Sequence, residues 1–316
     1  MNGSKIKKFF VNSNVGSVLF ALVALCILWT CLTPYFFTFA NAKNLAVYSS
    51  YTGIMACGLT AVMLTGCIDL SQMPLMACCG MFLALAYQRG AGGIVLWIVA
   101  ILVGIIGGAL NGFIVTKMQI VPMIATLGTQ LIYRGISFLT TNGTYITVKD
   151  PMIRSIGYGK LLGMPIMFYI MIVVIVITWF LCKYTQFGRN LYSTGSSPQA
   201  AHLAGINIDL TKFLAFVFSG ICCGIAGVVY TAQSGLALNN AGTGAEMDVM
   251  AAVVIGGTSL AGGRGKVINT MLGVLLMSVL ANGMGLLGID SYFQMIFKGC
   301  ILIAAVFIDT IRNSGK

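Results

Sequence analysis

Long stretches without a charged residue constrain what this chain can fold into. The first runs for 19 residues, from residue 15 to residue 33, and a helix of about 20 apolar residues crosses the roughly 30 Å of hydrocarbon in a bilayer. Only 8% of the residues are charged and 58% are hydrophobic, whereas soluble domains carry about 25% charged residues. The sequence therefore predicts an all-α integral membrane protein and excludes a soluble globular domain.

Glycine, proline and charged residues divide the apolar sequence into about ten predicted transmembrane helices. We expect these helices to form a single domain over residues 1–316. The third and the eighth are short for a membrane crossing. In chain order the predicted helices cover residues 15–33, 45–65, 73–87, 94–116, 121–139, 161–182, 213–233, 249–260, 267–287 and 292–308.

The positions of Lys and Arg predict how these helices are oriented. If both termini are cytoplasmic, eleven basic residues lie in cytoplasmic segments and five lie outside, in agreement with the known excess of positive charge in cytoplasmic loops. The net charge of +11 therefore reflects membrane topology and does not indicate nucleic acid. The cytoplasmic set is Lys5, Lys7, Lys8, Lys117, Lys183, Arg189, Lys212, Arg264, Lys266, Arg312 and Lys316, and the outer set is Lys43, Arg89, Lys149, Arg154 and Lys160.

The polar segment at residues 186–212 carries the signals of a short helix. Ser197 suits the N-cap, Pro198 suits the first helical position, and Gly205 suits the left-handed residue that ends a helix. Good or neutral helix formers lie between them. The sequence thus predicts a two-turn helix in a cytoplasmic loop over about residues 184–212, which is either a structured connection or a surface presented to a partner.

The sequence lacks the groups that ATP hydrolysis or other catalysis would need. The glycine-rich run at residues 262–266 is not a phosphate-binding loop, because position 260 is Leu and Val267 replaces the required Ser or Thr. His202 is the only histidine, and the acidic residues fall in loops or at helix ends. Most of the ten cysteines lie in apolar runs without CxxC spacing, so we predict no metal site and no enzyme activity.

Polar residues within the predicted helices are candidates for lining a transport path. Arg134 and Lys298 are the two charged ones, and each either reaches back to the membrane interface or faces an aqueous path. The neutral ones either bond one helix to another or contact a neutral, polyhydroxylated substrate. These neutral candidates are Asn111, Thr126, Thr129, Gln130, Asn282 and Gln294.

The two halves of the chain share a short similarity. The sequence VMLTGCIDLS at residues 62–71 resembles VVIGGTSLAG at residues 253–262, and Asn111-Gly112 resembles Asn282-Gly283. The spacings between these pieces differ. Repeated halves around a central path would suit a transporter.

A series of motifs runs in a recognisable order from about residue 44 to residue 309, nearly the whole chain. They are LTGCIDLS at 64–71, Asn111-Gly112, Pro122, TLG at 126–128, Arg134-Gly135, GRNLY at 188–192, SPQAA at 197–201, AGI at 204–206 and AAVVIGGTSL at 251–260. With these motifs the chain resembles the permease subunit of bacterial ABC importers for monosaccharides, the ribose, xylose and galactose permease family. The resemblance implies an ABC importer permease fold throughout.

In that family, the segment that matches residues 188–206 docks on the ATPase. The sequence departs from the usual pattern at Gln199, where an acid is common, at His202, where an arginine is common, and at Cys67, where a second glycine is common. The docking residues implied by the resemblance are Gly188, Arg189, Ser197, Pro198, Gln199, Ala200, Ala201, His202 and Gly205.

The resemblance also implies a function and a set of partners. The chain would be the permease of an ATP-driven importer for a ribose-like pentose or a hexose, working by alternating access in the bacterial cytoplasmic membrane. The implied partners are a twin-cassette ATPase that binds ATP and Mg, an extracytoplasmic sugar-binding protein, a second permease copy or paralogue, and membrane lipid, with no cofactor on this chain. The binding protein would meet residues 140–160 and 241–248. The alternatives are a secondary ion-coupled carrier, a membrane scaffold without transport, and a same-family importer of an autoinducer sugar or a nucleoside.

Overall fold

The computed structural model describes residues 14–314, apart from the side chains of residues 14–15, 308–309 and 311–314. Of the residues used to predict the topology, Lys5, Lys7, Lys8 and Lys316 lie outside the described residues, and the side chain of Arg312 is not described. Within the described part, the chain is almost entirely helical.

Each of the ten predicted transmembrane segments coincides with a helix. Three further helices and two pairs of very short strands lie in the connections. In chain order the elements are α1 (Asn14–Leu32), α2 (Phe39–Leu64), α3 (Gln72–Gln88), α4 (Ile94–Thr116), α5 (Pro122–Leu139), β1 (Ile146–Thr147), α6 (Pro151–Tyr158), β2 (Lys160–Leu161), β3 (Met164–Pro165), α7 (Ile166–Tyr184), α8 (Gln186–Ser196), α9 (Pro198–Leu203), α10 (Ile208–Ser234), β4 (Leu236–Ala237), α11 (Glu246–Ile255), α12 (Val267–Leu286) and α13 (Ser291–Ser314).

Five of the described helices are long and apolar enough to cross a membrane: α2, α4, α7, α10 and α12. Shorter apolar segments, Gly16–Leu32 and Ser291–Phe307, lie within α1 and α13. The chain is thus a multi-pass membrane protein, and ten crossings remain a prediction. The helix α11 has ten residues, which extend about 15 Å, or half of the hydrocarbon thickness.

Several predicted helix boundaries were wrong. Three helices are longer than predicted: α2 begins at Phe39, α10 begins at Ile208 and α13 continues to Ser314. Two predicted helices were too long. The predicted eighth helix continued to Leu260, but α11 ends at Ile255, because Gly257 is left-handed and the N–H groups of Gly257 and Thr258 bond back to the carbonyls of Val254 and Val253. This is a Schellman ending. The predicted sixth helix began at residue 161, whereas residues 160–165 form the β2–β3 hairpin and α7 begins afterwards.

The helix α10 lies at the centre of the bundle and packs against α4, α2 and α3. Glycines allow α4 and α10 to approach closely: a Cβ atom on Gly104 would collide with the carbonyl of Gly220, and one on Gly108 would collide with the carbonyl of Phe216. Small residues spaced four apart are typical of such close helix contacts in membranes. This packing fixes the middle of the bundle.

The connections between helices gather at two ends of the bundle. At one end, the Asp150 carboxylate caps α6 and also accepts a hydrogen bond from Gly93 N–H at 3.0 Å, while β1 pairs with β4. At the other end, α8 and α9 lie beside the α2–α3 connection and the α11–α12 connection. We call the end with α8 and α9 the α9 end, and the end with Asp150 the opposite end.

The two similar sequence segments meet at the α9 end. Each contains a break in the helical structure, at residues 65–71 between α2 and α3 and at residues 256–266 between α11 and α12. The N–H of Gly263 donates to the carbonyl of Leu64 at 2.9 Å. A Cβ atom on Gly262 would lie 2.6 Å from the nitrogen of Gly66, so only glycine fits there without displacing the backbone. The two helix breaks therefore form one joint.

Candidate functional site

The predicted helix in the polar segment is present as α9, with the predicted caps. The side chain of Ser197 accepts a hydrogen bond from Ala200 N–H at 3.3 Å, and Pro198 occupies the first turn. At the other terminus Gly205 has φ of 79°, and the N–H groups of Gly205 and Ile206 bond back to the carbonyls of His202 and Ala201. This again is a Schellman ending, so α9 is closed at both ends by local sequence.

The structure also contains a helix here that the sequence did not predict. The helix α8 precedes α9 and is capped by Thr185, whose hydroxyl oxygen accepts from Gly188 N–H at 3.4 Å. Gly188 is buried against the backbone of Cys182 at the end of α7, where a Cβ atom would collide. Arg189, the next residue, is exposed. The polar segment is therefore a helix pair rather than one helix in a loop.

The outward face of α9 carries small and polar residues and one large apolar residue. Pro198, Gln199, Ala200, His202 and Gly205 are exposed, as a docking role requires. Ala201 differs, because only 3% of its surface is exposed and its side chain faces the chain's own helices. A charge introduced at Ala201 would disturb folding rather than a partner contact.

The large apolar residue is Leu203, which was not among the predicted docking residues. It is 88% exposed at the end of α9. A single exposed leucine is ordinary on a soluble surface, but here it projects from a short helix that is closed by capping hydrogen bonds at both ends. Beside it, His202, Gly205 and Asp209 line a cavity of about 440 Å³. A large apolar residue in a short capped helix of small and polar residues was the available sequence signal.

The helix α8 connects this face to the two helix breaks through backbone contacts. A Cβ atom on Gly195 would collide with the carbonyl of Leu64 and with the nitrogen of Gly263. The Tyr192 hydroxyl donates to the carbonyl of Gly265 at 2.8 Å. Burial, and to a smaller extent the nearby Cys182, raises the pKa of Tyr192 to about 12. The phenol therefore keeps its proton. A movement of α8 must therefore displace both breaks.

A buried polar network lies next to this joint and was not predicted. Asp69 is only 3% exposed. Its carboxylate accepts hydrogen bonds from Ser71 N–H at 3.0 Å, from the Ser71 hydroxyl at 2.7 Å and from the Ser219 hydroxyl at 2.9 Å. The Ser219 oxygen accepts in turn from Gln72 at 2.8 Å. The sequence placed Asp69 in a loop, but the structure folds that loop into the interior of the bundle.

Several predicted path residues bond to other parts of the chain. Asn111 is buried, donates to the Ser71 hydroxyl oxygen at 2.7 Å and accepts from the Tyr133 hydroxyl at 3.2 Å. Asn282 exchanges two hydrogen bonds of 2.9 Å with Asn41. These contacts join helices, which was one of the two roles considered.

Two threonines of α5 are similarly occupied. Thr126 is buried and donates within its own helix, to Pro122 at 2.9 Å, and also approaches the carbonyl of Ile68 at 3.3 Å. Thr129 donates to the carbonyl of Thr126. Both side chains therefore face the bundle, towards the α2–α3 break.

The two charged path candidates form ion pairs at the opposite end. Arg134 on α5 contacts Glu246 at 3.1 Å, and Lys298 on α13 contacts Asp248 at 2.6 Å. Arg134 also donates to the carbonyls of Asn239 and Ala241, at 3.1 and 3.0 Å. Both cations thus bind the first turn of α11 from separate helices.

The remaining candidates, Gln130 on α5 and Gln294 on α13, are partly accessible. Gln294 donates to the carbonyl of Ile289 at 2.9 Å. The helices that carry them have wide exposed apolar faces, with Leu131 at 74% and Tyr292 at 77% exposure. α13 packs mainly against α11. Of the eight predicted path residues, these two lie nearest to unpartnered surface.

Comparison with known proteins places the chain in a family. The sequence profile of a family described as "Branched-chain amino acid transport system / permease component" matches residues 41–306. The ribose import permease protein RbsC of Escherichia coli K12 is 38% identical over 299 residues, which cover 93% of each chain. The RbsC protein of Bacillus subtilis 168 is 36% identical over 93% of this chain and 92% of its own.

A second sugar permease matches over a similar length. The L-arabinose transport system permease protein AraH of Escherichia coli K12 is 32% identical over 90% of this chain and 86% of its own. No solved structure matches the chain significantly. Since the profile covers most of the chain and these relatives match nearly end to end, the chain belongs to this family of transport-system permease components.

Proposed function

We propose that this chain is the permease subunit of an ABC importer for a monosaccharide, powered by a separate ATPase with two cassettes and supplied by an extracytoplasmic binding protein. The observation that carries this proposal is the exposed helix α9, which is capped at both ends and whose neighbour α8 is joined through backbone contacts to both helix breaks. ATP and Mg bind the partner ATPase, and this chain holds no cofactor.

The proposed mechanism is alternating access driven from α9. The ATPase receives Leu203 and the polar residues around it. Its closure on ATP displaces α8, and the displacement passes through Gly195 to the breaks at residues 65–71 and 256–266. Because packed interfaces of this kind switch between discrete arrangements, the helices α3 and α11 beside the breaks open the path towards one side or the other.

The proposed orientation follows the distribution of basic residues. The α9 end is cytoplasmic, as are both termini, and the membrane is the bacterial cytoplasmic membrane. The opposite end then receives the binding protein on residues 140–160 and 241–248, beside the two ion pairs. In a variant that lacks the other accessible thiols, a cysteine introduced by Asn313→Cys should not be labelled by an impermeant thiol reagent added to intact cells. Labelling there would mean that the orientation is the reverse.

We propose that the exposed faces of α5 and α13 meet a second permease subunit. Leu131 and Tyr292 lie on these faces, and burying them against protein completes the packing of α13, which contacts chiefly α11. Gln130 and Gln294 then lie close to the path between the subunits. Weak, neutral hydrogen-bonding groups suit a polyhydroxylated substrate that must be released again.

The substrate class rests on the relatives, which are named for ribose and L-arabinose, while the family description names branched-chain amino acids. An amino acid would present an ammonium and a carboxylate. Arg134 and Lys298, the charged candidates on α5 and α13, are already paired with carboxylates. This favours a neutral sugar, with an autoinducer sugar or a nucleoside as the alternatives within the class.

An omission experiment tests the proposal. Proteoliposomes containing the permease, its ATPase and its binding protein should take up radiolabelled ribose with MgATP, and omission of any component should abolish uptake. Micromolar affinity in the isolated permease corresponds to about −8 kcal/mol, which would hold the sugar in the path, so calorimetry should detect no tight binding there. Uptake that needs an ion gradient and no ATPase would establish a secondary carrier. Uptake of leucine but not ribose would show that the proposed substrate class is wrong.

A further inference from the structure

A large cavity with a positive rim lies at the α9 end, beside the docking face. It has a volume of about 780 Å³ and lies between the end of α7, the helix α8 and the start of α12. Three cations line it, and its wall also contains two aromatic rings, whereas no carboxylate takes part. The residues that matter here are Trp179, Lys183, Arg189, Tyr192 and Lys266. We call this space the basic cavity.

Among the side chains that the structure describes, no acidic residue forms an ion pair with a cation of the basic cavity. The ion pairs of the described side chains are those of Arg134 and Lys298, and both lie at the opposite end. Lys183, Arg189 and Lys266 are all exposed. Three positive charges converging on one cavity create a potential that attracts an anion.

The surroundings of Lys183 indicate how deep in the membrane the basic cavity lies. Its ammonium group lies over the ring of Trp179, 5.0 Å from the centroid, and 4.9 Å from the centroid of Tyr184. Trp and Tyr rings concentrate at the membrane–water interface, where one edge is apolar and the other wet. The charged rim therefore lies at headgroup depth, because α7 ends here and α12 begins here, and both are long and apolar enough to cross the membrane.

An apolar track leads from the cavity along α7. Ile172, Val176, Trp179 and Lys183 follow each other at spacings of four, three and four residues, and thus lie on one face of the helix. Ile172 and Val176 are exposed. Across the cavity, Ile268 at the start of α12 is also exposed. A soluble anion would use the charges alone, whereas an amphiphile would use both the charges and the track.

We propose that the basic cavity binds an acidic phospholipid, with its phosphate between Lys183, Arg189 and Lys266 and its acyl chains along the exposed face of α7. Basic pockets between transmembrane helices at the cytoplasmic side are known to bind acidic headgroups. Arg189 and Tyr192 belong to α8, which contacts both helix breaks. A bound lipid therefore connects α8 to α7 and α12. This regulatory consequence rests on the proposed coupling role of α8, but the binding itself does not.

The test measures lipid binding to the purified, delipidated permease by native mass spectrometry, with phosphatidylglycerol and phosphatidylcholine as probes. The test variant is Lys183→Gln with Lys266→Gln, which spares Arg189 on the docking segment. The matched control is Lys117→Gln with Lys212→Gln, which removes the same charge at the same end. We expect phosphatidylglycerol to bind at least tenfold more weakly to the test variant, since each basic residue near a membrane surface contributes about a factor of five, and the control to bind like the wild type.

Each other outcome contradicts the proposal. Equal weakening in both variants would mean diffuse attraction to the charged end rather than a site. Equal binding of phosphatidylcholine and phosphatidylglycerol would mean that the cavity does not distinguish the charge of the headgroup. Displacement of the lipid by glycerol phosphate at the lipid's own concentration would mean that the cavity takes a soluble phosphate. None of these measurements uses the ATPase or transport, so they stand apart from the test of the proposed function.

Discussion

The N–H of Gly263 donates a hydrogen bond to the carbonyl of Leu64 at 2.9 Å, so that a helix break in the second half of the chain is bound directly to one in the first half. Gly195 of α8 lies over the same bond, where a Cβ atom would collide with both partners. Three backbone segments that are far apart in sequence thus meet without intervening side chains. A displacement of one segment is transmitted to the others, because close-packed backbone atoms leave no space to absorb it.

Replacing Gly195 by Ala tests this joint. The added methyl group pushes α8 away from Leu64 and Gly263, which costs about 1–3 kcal/mol if the packing gives way. We expect ATP hydrolysis by the assembled transporter to continue while sugar uptake falls at least tenfold. The control is Gly285→Ala on α12, where a Cβ atom meets nothing within 4 Å. Coupled uptake at the wild-type rate in Gly195→Ala would show that motion does not pass through this contact.

The thermal stability of the permease should depend on the hydrogen bond from Ser219 to the buried carboxylate of Asp69. In Ser219→Ala one carboxylate oxygen loses its donor and the Gln72 amide loses its 2.8 Å acceptor, and an unsatisfied buried polar group costs about 1–3 kcal/mol. We expect a lower thermal unfolding midpoint of the detergent-solubilised permease. Ser155→Ala, which removes only a local bond to Met152 on the surface, should leave the midpoint unchanged. A Ser219→Ala midpoint equal to that of the wild type would mean that the network contributes nothing.

The ion pair between Arg134 and Glu246 should show coupling in a double-mutant cycle. Both side chains retain some exposure, 19% and 15%, so we expect a coupling energy of about 1 kcal/mol between Arg134→Gln and Glu246→Gln. Arg134→Gln alone should destabilise more than Glu246→Gln alone, because it also removes the hydrogen bonds to Asn239 and Ala241. Strictly additive unfolding free energies, or the reverse order of the two single variants, would contradict this account.

Local signals explain what could be predicted from the sequence. Ser197, Pro198 and Gly205 define α9 because caps act within a few residues of the helix end. The same chemistry ends α11, but there the predicted helix continued past Gly257 to Leu260. The Gly256-Gly257 pair was the signal that the prediction passed over.

Tertiary contacts explain what could not be predicted. The side chain of Ala201 turns inward and that of Leu203 outward, and no local rule distinguishes them before the packing partners of α9 are known. Asn111 and Asn282 were suitable path residues by type, yet each bonds to a residue from another helix, Ser71 and Asn41. Such pairings depend on which helices are neighbours, which periodicity alone does not determine.

The most direct test of the central claim, that α9 connects a separate ATPase to the transport path, compares Leu203→Asp with Leu203→Met in proteoliposomes containing the ATPase and the binding protein. Leu203 is 88% exposed, so neither variant should affect folding. An aspartate buried unpaired against the ATPase costs about 3–5 kcal/mol, whereas methionine preserves the apolar contact. We predict that Leu203→Asp loses both ATPase binding and ATP-driven ribose uptake and that Leu203→Met retains both. Wild-type uptake by Leu203→Asp would contradict the account.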